Sequence, residues 1–210
     1  MFIVLEGIEG SGKSTQARLL AERLEAAGRT VILTREPGGT QVGEEIRRAL
    51  LHGGDDVPAR TELLLMLAAR AAFVDGIVSP ALARGAVVIS DRYEMSTFAY
   101  QGYGRGLSLD EVRQINDFAT GGLRPDATVV LDLDVAEGEA RRLAAGRTAD
   151  RIERAGAGFH RKVAEAYRLL GRSEPGAALV HGSGAPEDVH ASILRVLGDR
   201  FPETFGATKG

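Results

Sequence analysis

The chain has 210 residues, 44% of them hydrophobic and 26% charged, with a formal net charge of −3 and no cysteine. That length allows one α/β domain or two very small ones, and a core that buries roughly 70% of the unfolded surface. The composition excludes a disordered chain, a collagen and a coiled coil, and the missing cysteine excludes a disulfide scaffold, a thiolate zinc site and a cysteine nucleophile.

Phe2–Glu6 reads as a buried strand running into a glycine-rich turn, Gly7–Gly12. A helix is predicted from Lys13 to about Ala27, with Leu19, Leu20 and Leu24 on one face and Gly28 as its stop. Thr30–Thr34 is the second strand, Arg35–Thr40 a loop, and Val42–Leu51 a helix ended by His52-Gly53-Gly54. Thr61–Leu82 reads as one long, nearly all-apolar helix buried on most sides, with Pro80 as a candidate kink. Ala86–Ser90 is strand three, followed by Asp91-Arg92, a short helix at Ser96–Tyr100 and a glycine loop at Gly102–Gly106. Ser108 and Glu111 make a capping-box start for a helix to about Ala119. Ala127–Leu133 is strand four, and a helix over Val135–Ala145 leads into an arginine- and glycine-containing stretch, Gly146–Gly158. A helix at Phe159–Leu170, a weak fifth strand at Ala177–His181, a last helix at Pro186–Asp199 and a frayed tail from Arg200 complete the chain.

Strands that are continuous apolar runs, separated by helices, predict a three-layer α/β/α fold with a five-stranded parallel sheet covered on both faces. A single domain over residues 1–200, with a small lid at about 146–158 and a tail at 201–210, is the expected organisation. Ligands in such folds sit at the carboxyl ends of the strands, which is where Gly7–Ser14, Arg35–Thr40 and Asp91-Arg92 fall. The start, MFIVLEG, reads as neither signal nor transit peptide. No apolar stretch is expected to reach the ~20 residues that span a bilayer, and no basic excess is present to hold a nucleic-acid backbone. A soluble, cytoplasmic protein without nucleic-acid or membrane partners is the expectation.

Gly7-Ile8-Glu9-Gly10-Ser11-Gly12-Lys13-Ser14 matches G-x-x-x-x-G-K-[ST] in full, after a strand and opening a helix. The glycines let backbone N–H groups turn inward toward phosphate oxygens, and the helix N-terminus adds its positive dipole end. Lys13, one of only three lysines among 26 basic residues, would serve the β- and γ-phosphates, and the Ser14 hydroxyl a Mg²⁺ ion. The ligand is therefore read as a nucleoside triphosphate bound over Gly7–Thr15. Asp91 at the end of strand three suits Mg²⁺, and Arg92 suits an acceptor phosphate by bidentate geometry; a structural ion pair is the plain alternative.

Several separated segments then resemble the bacterial thymidylate kinases: FIVLEGIEGSGKST, TREPGGT, TELLLMLAAR, DRYEMSTFAYQG and Asp150-Arg151-Ile152-Glu153. The resemblance covers Phe2 to about Leu197 and implies phosphoryl transfer from ATP to dTMP by a homodimeric, Mg²⁺-dependent enzyme. It implies that Glu9 faces the acceptor sugar and phosphate, that Arg47 and Arg92 hold the acceptor phosphate, and that Arg70 reads the thymine carbonyl edge. Ser96, Thr97 and Gln101 are implied to line the thymine and sugar pocket, and Tyr100 to pack on the deoxyribose. For Arg47 a solvated helix charge, for Arg70 a buried ion pair, and for Tyr100 a core aromatic are the competing readings. The chain departs from the family at Met66, where a phenylalanine usually stacks on thymine; Phe73 is the nearest phenylalanine on that helix.

Arg141, Arg142, Arg147, Arg151 and Arg154 cluster about the lid. The phosphate loop contains no arginine, and phosphoryl transfer needs positive charge on the transferring group. The resemblance implies lid arginines for that task, and Arg147 and Arg151 are the expected catalytic pair beside Lys13 and Arg92; a solvated charged face is the plain reading. The four histidines lack metal-ligand spacing, and no side chain stands out as an adenine reader. A same-fold kinase with another nucleotide or nucleoside acceptor, and a non-enzymatic nucleotide switch, are the rival readings.

Overall fold

The computed structural model describes residues 1–52, 57–146 and 148–206. In chain order its elements are β1 (Phe2–Gly7), α1 (Lys13–Ala26), β2 (Val31–Arg35), α2 (Gln41–His52), α3 (Ala59–Phe73), α4 (Ser79–Ala83), β3 (Val87–Asp91), α5 (Glu94–Thr97), α6 (Leu109–Thr120), β4 (Ala127–Asp132), α7 (Val135–Ala144), α8 (Ala157–Ser173), β5 (Ala177–His181), α9 (Pro186–Arg200) and α10 (Pro202–Phe205). The strands form one parallel sheet in the order β2-β3-β1-β4-β5.

The apolar run of β1 divides between two faces, as the pleat requires. Ile3 and Leu5 pack with Leu20 and Leu24 of α1 and Ile193 and Leu197 of α9. Phe2 and Val4 face the opposite way, against Phe73, Val78 and Tyr93. A neighbouring cluster on that side joins Val130 of β4 to Leu67 of α3, Val112 of α6 and Tyr167 and Leu170 of α8. Full coverage holds for the middle strands; at the edges, β2 leaves Leu33 48% exposed. In the β1–β3 register Leu5 stands opposite Asp91. The turn after β1 and the Asp91-Arg92 pair after β3 therefore emerge side by side at one end of the sheet.

Three expectations change. The long helix is continuous in outline from Ala59 to Ala83, but a π-helical turn at Val74–Val78 interrupts it before Pro80. A proline ring crowds the carbonyl four residues earlier, here that of Gly76, and a widened turn makes room for it. This segment is also long and apolar enough to cross a membrane by length and composition, with mean hydropathy 1.6, contrary to the expectation that none would be. It is 39% buried rather than enclosed on most sides, and Leu64 is largely exposed. Its inner face packs on the sheet and carries the buried Arg70, so the core accounts for part of its apolar composition and leaves the face with Leu64 outside it. The C-terminal segment is not frayed through Gly206: α10 returns Phe205 to the core beside α9, 4% exposed. Burying such a ring contributes roughly 1.5–3 kcal/mol toward holding the four-residue helix in place.

Candidate active site

Two cavities lie at the carboxyl ends of β1 and β3. The first, a donor cleft of about 750 Å³, is lined by residues 9–16, Asp91, Arg141, Gly182 and Gly184. The second is lined by Met66, Arg70, Ser96, Thr97, Tyr100 and Gln101, with Asp150, Ile152, Glu153 and His160 from the lid side. Glu9, Glu36, Arg47 and Arg92 line both.

The floor of the donor cleft is the Gly7–Ser14 turn. Gly10 and Gly12 take positive φ angles of 76° and 94°, and Gly12 hands the chain into α1. A Cβ on Gly10 would stand 2.3 Å from the Gly138 carbonyl oxygen, and one on Gly138 would stand 2.5 Å from the Glu9 carbonyl oxygen. The loop is thus shaped by α7 as well as by its own sequence. Gly7 and Ile8 begin the turn but line neither cavity.

Lys13 Nζ donates to the Ile8 carbonyl at 2.8 Å, curling over the loop. Burial, aided by the nearby Arg92 charge, lowers its pKa to about 8. A polyphosphate entering the cleft would raise it again, since a nearby anion favours the charged form. Ser14 Oγ donates to Asp91 Oδ2 at 2.5 Å, so a hydroxyl and a carboxylate, both hard oxygen ligands, share the mouth of the cleft. No cluster of three acidic, histidine or cysteine side chains that could hold a metal occurs among the described residues. A cation at Ser14 and Asp91 would complete its shell with phosphate oxygens and water, the habit of Mg²⁺.

Where the cavities meet, Arg92 has a positive φ of 80°, a conformation rare outside glycine and one that only a determined surrounding sustains. Its backbone N–H donates to Leu5 O. Its guanidinium donates to Gly7 O, Ser96 Oγ, Tyr167 Oη and Glu9 Oε2 at 3.0–3.3 Å and lies over the Tyr100 ring, 5.3 Å from its centroid. Beneath it Glu6, fully buried, accepts from the Tyr93 and Ser96 amides, the Ser96 hydroxyl and the Tyr167 hydroxyl. Arg47 donates to Pro37 O at 2.9 Å and lines both cavities, whereas its neighbour Arg48 is exposed. The pairing of those two arginines is thereby separated into one inward and one solvated charge.

Arg70 forms the buried ion pair of its plain reading and also reaches the wall of the second cavity. It is 3% exposed and ion-paired to Glu36 at 2.8 Å. It also donates to Thr97 Oγ1, Asn116 Oδ1 and Tyr93 O, each at 2.8 Å. Four of the five guanidinium N–H groups are occupied, and the residue still lines the second cavity. Glu36 Oε1 is buried without a hydrogen-bond partner among the described residues. Burial raises the Glu36 pKa to about 7 against the opposing charge of Arg70. Tyr100 makes edge contacts with Phe159 and Tyr167 and still borders the cavity, so it is a core aromatic on one side and a wall on the other. Met66 is half-buried on the cavity wall. Phe73 is fully buried against Tyr93 and takes no part.

The lid departs most from expectation. Arg151 is 6% exposed and lines neither cavity. Its side chain donates to Leu50 O at 2.8 Å and to Glu62 Oε2 at 2.7 Å, and its amide donates to Leu51 O. An arginine held in this way by a buried carboxylate is a tether between lid and helices, and does not reach the donor cleft. Arg147 lies outside the described residues. Arg141, one of the five lid arginines but not of the expected catalytic pair, spans the donor cleft by donating to Gly182 O at 3.1 Å while pairing with Glu137. Arg142 and Arg154 line a separate cavity with Glu9, Glu153 and His160. Sequence reading also passed over Glu6, Glu36, Glu62 and Tyr167. A carboxylate inside an apolar strand such as FIVLEG is the signal for Glu6, since burial demands partners; the other three carry no local signal.

A family model described as thymidylate kinase matches residues 5–193. The thymidylate kinase of Synechococcus sp. (strain JA-3-3Ab) is 48% identical over 202 residues, covering 96% of this chain and 97% of that protein. That of Pseudomonas fluorescens is 47% identical over 211 residues, covering 100% and 99%. The crystal structure of thymidylate kinase from Ehrlichia chaffeensis superimposes with a TM-score of 0.76 at 32% identity, covering 94% of this chain and 98% of that one. The chain belongs to the thymidylate kinase family.

Proposed function

We propose that the protein transfers the γ-phosphoryl group of ATP to dTMP, releasing ADP and dTDP. The observation that carries this reading is the meeting of two cavities at Glu9, Glu36, Arg47 and Arg92. One has the phosphate-loop floor of a triphosphate site, and the other is a side-chain pocket for a small acceptor. An oxygen of the acceptor phosphate attacks the γ-phosphorus while the bond to the ADP oxygen breaks. A phosphate monoester is already anionic at neutral pH, so the step needs no general base. Catalysis is positioning and charge neutralisation.

In this assignment the loop amides over Gly10–Thr15 and Lys13 hold the donor polyphosphate. Ser14 and Asp91 would hold Mg²⁺, which would supply charge neutralisation to the polyphosphate. Arg47 and Arg92 orient the acceptor phosphate, with Glu9 fixing the Arg92 guanidinium from the loop side. Arg70, Thr97, Gln101 and Met66 receive the base, and Ser96 and Tyr100 the sugar side. Arg147 is retained as the lid arginine for the transferring group, and Arg151 is reassigned as a tether. Lid closure over the two cavities excludes water as a competing acceptor.

We also place the protein in the cytoplasm as a homodimer. Support for the dimer comes from α6, where Phe118 is 90% exposed and Ile115 is partly so, and from Leu64 on the adjoining α3. Light scattering of the full chain, and of Phe118→Asp, measures this: a dimer that the substitution dissociates is the expected result.

The reaction is tested by mixing the protein with Mg-ATP and offering dTMP, dUMP, dCMP, dGMP, UMP and thymidine separately, following ADP and the diphosphate product. dTMP-dependent ADP release with dTDP formed is expected. Slow hydrolysis at one rate with every acceptor would sink the kinase reading, and preference for another acceptor would replace the substrate.

A further inference from the structure

Glu62 lies one layer behind the second cavity, fully buried, and each of its two oxygens accepts two hydrogen bonds, from different kinds of donor. Oε1 accepts from Gln101 Nε2 at 2.9 Å and from Arg105 Nε at 3.1 Å. Oε2 accepts from Arg105 at 3.0 Å and from Arg151 at 2.7 Å. Burial acts to raise the Glu62 pKa, but hydrogen bonds from Arg105, Gln101 and Arg151 outweigh it and hold the group below the usual range. An ionised carboxylate only accepts. The Gln101 amide must therefore turn its NH₂ toward Glu62, which leaves the opposite end, its carbonyl oxygen, on the cavity wall without a donor among the described residues.

We propose that Glu62, clamped by Arg105 and the lid residue Arg151, fixes the Gln101 amide so that it offers an acceptor to the base, and so selects an imide N–H over the ring-nitrogen acceptor of cytosine. This rests on the dTMP reading above and deepens it. Thymine and uracil carry a donor at N3, whereas cytosine carries a lone pair there. A carbonyl oxygen that cannot rotate away faces that lone pair and leaves both acceptors unpaired, the arrangement by which hydrogen-bonding sites reject analogues. Glu62 touches no substrate and is a positioning residue; Arg70, with four N–H groups already engaged, has one left for the base.

The test is Glu62→Gln in the full chain, reading kcat/KM for dTMP and dCMP. Two arginine donors converge on the Oε2 position against the single Arg105 Nε at Oε1, and the pair keeps the amide oxygen at Oε2. The new NH₂ then faces Gln101, whose amide inverts and turns its own NH₂ toward the base. The dTMP/dCMP ratio should fall at least tenfold, with kcat/KM for dCMP rising in absolute terms, which structural damage alone would not produce. An unchanged ratio, or equal loss for both nucleotides, would overturn the proposal. If Glu62→Gln does not fold, Gln101→Met is read instead: a fall in the ratio supports the role of the amide, and an unchanged ratio overturns it. Absence of dTMP turnover by the unsubstituted protein would remove the parent reading, a result distinguishable from an unmoved ratio.

Discussion

The donor cleft and the acceptor pocket are built by different means. The cleft floor is backbone, contributed by eight consecutive residues whose glycines leave N–H groups facing inward; its side-chain chemistry rests on Lys13, Ser14 and Asp91, with Arg141 across the cleft and Glu9, Arg47 and Arg92 shared with the pocket. The pocket is made of side chains gathered from α2, α3, the Arg35–Thr40 loop, the α5 region and α8, tied by buried ion pairs such as Arg70–Glu36 and Arg151–Glu62. A backbone site can lose a side chain and keep its shape. A site of paired buried charges cannot, so function and stability are separable in the cleft and joined in the pocket.

The largest expected effect is in the pocket. Arg70→Met removes the counter-charge of a carboxylate that is 3% exposed. Stranding one member of a buried pair costs about 3–5 kcal/mol, which urea denaturation would report as a lower midpoint at unchanged slope. Activity should fall with it. Because Glu36 can take up a proton, the loss should be smaller at pH 5.5 than at pH 8. Next comes Lys13→Met in the cleft. Loss of one preorganised charge from the transferring group should lower kcat by about 10²–10³-fold, with dTMP affinity and the urea midpoint nearly unchanged. If the midpoint fell as far as for Arg70→Met, the contrast between the two regions would not stand.

A third effect is smaller and depends on pH. Glu36 has a folded pKa of about 7 against an ordinary value of 4.5, chiefly through burial and opposed by Arg70. Between these values the folded chain binds more protons than the unfolded one, so stability declines as pH rises. The contribution is fully present below about pH 4.5 and is lost as pH passes about 7, an amount on the order of 1–3 kcal/mol. Glu36→Gln imitates the protonated form and should flatten the melting-temperature profile between pH 5 and 8. An equal slope in both proteins would assign the dependence to other groups.

The same division governs what the sequence discloses. The cleft is legible because its determinants are contiguous: a strand, three glycines at fixed spacing, a lysine and a helix. Even there Gly138 was missed, although an isolated glycine within a helical pattern signals a close backbone approach, here to Glu9 and Gly10. The strands were placed to within a residue or so, since apolar runs between helices admit few alternatives. The pocket is harder to read. Arg70 drew notice because a charge in Leu63–Val74 needs a partner, but nothing local names Glu36, which lies 34 positions away. Arg151 was misread for the same reason: charge in a lid sequence looks alike whether it points at phosphate or, 89 positions back, at Glu62.

Met66 provides the finest test, because it stands where pocket shape and base affinity can be separated. The side chain is half-buried on the cavity wall and enters no ion pair, so changing it should not release a buried charge. A thioether against an aromatic ring is worth about 0.3–1.5 kcal/mol, and an aromatic pair about 0.5–1.5 kcal/mol beyond its area. Met66→Phe should therefore lower KM for dTMP by about two- to fivefold with kcat little altered, since stacking acts on bound substrate and transition state alike. dUMP should gain by a similar factor, because the gain comes from the ring face and both bases present one. A rise in KM for both nucleotides would mean that the wall around Met66 has no room for a ring, and that the methionine is there for its shape.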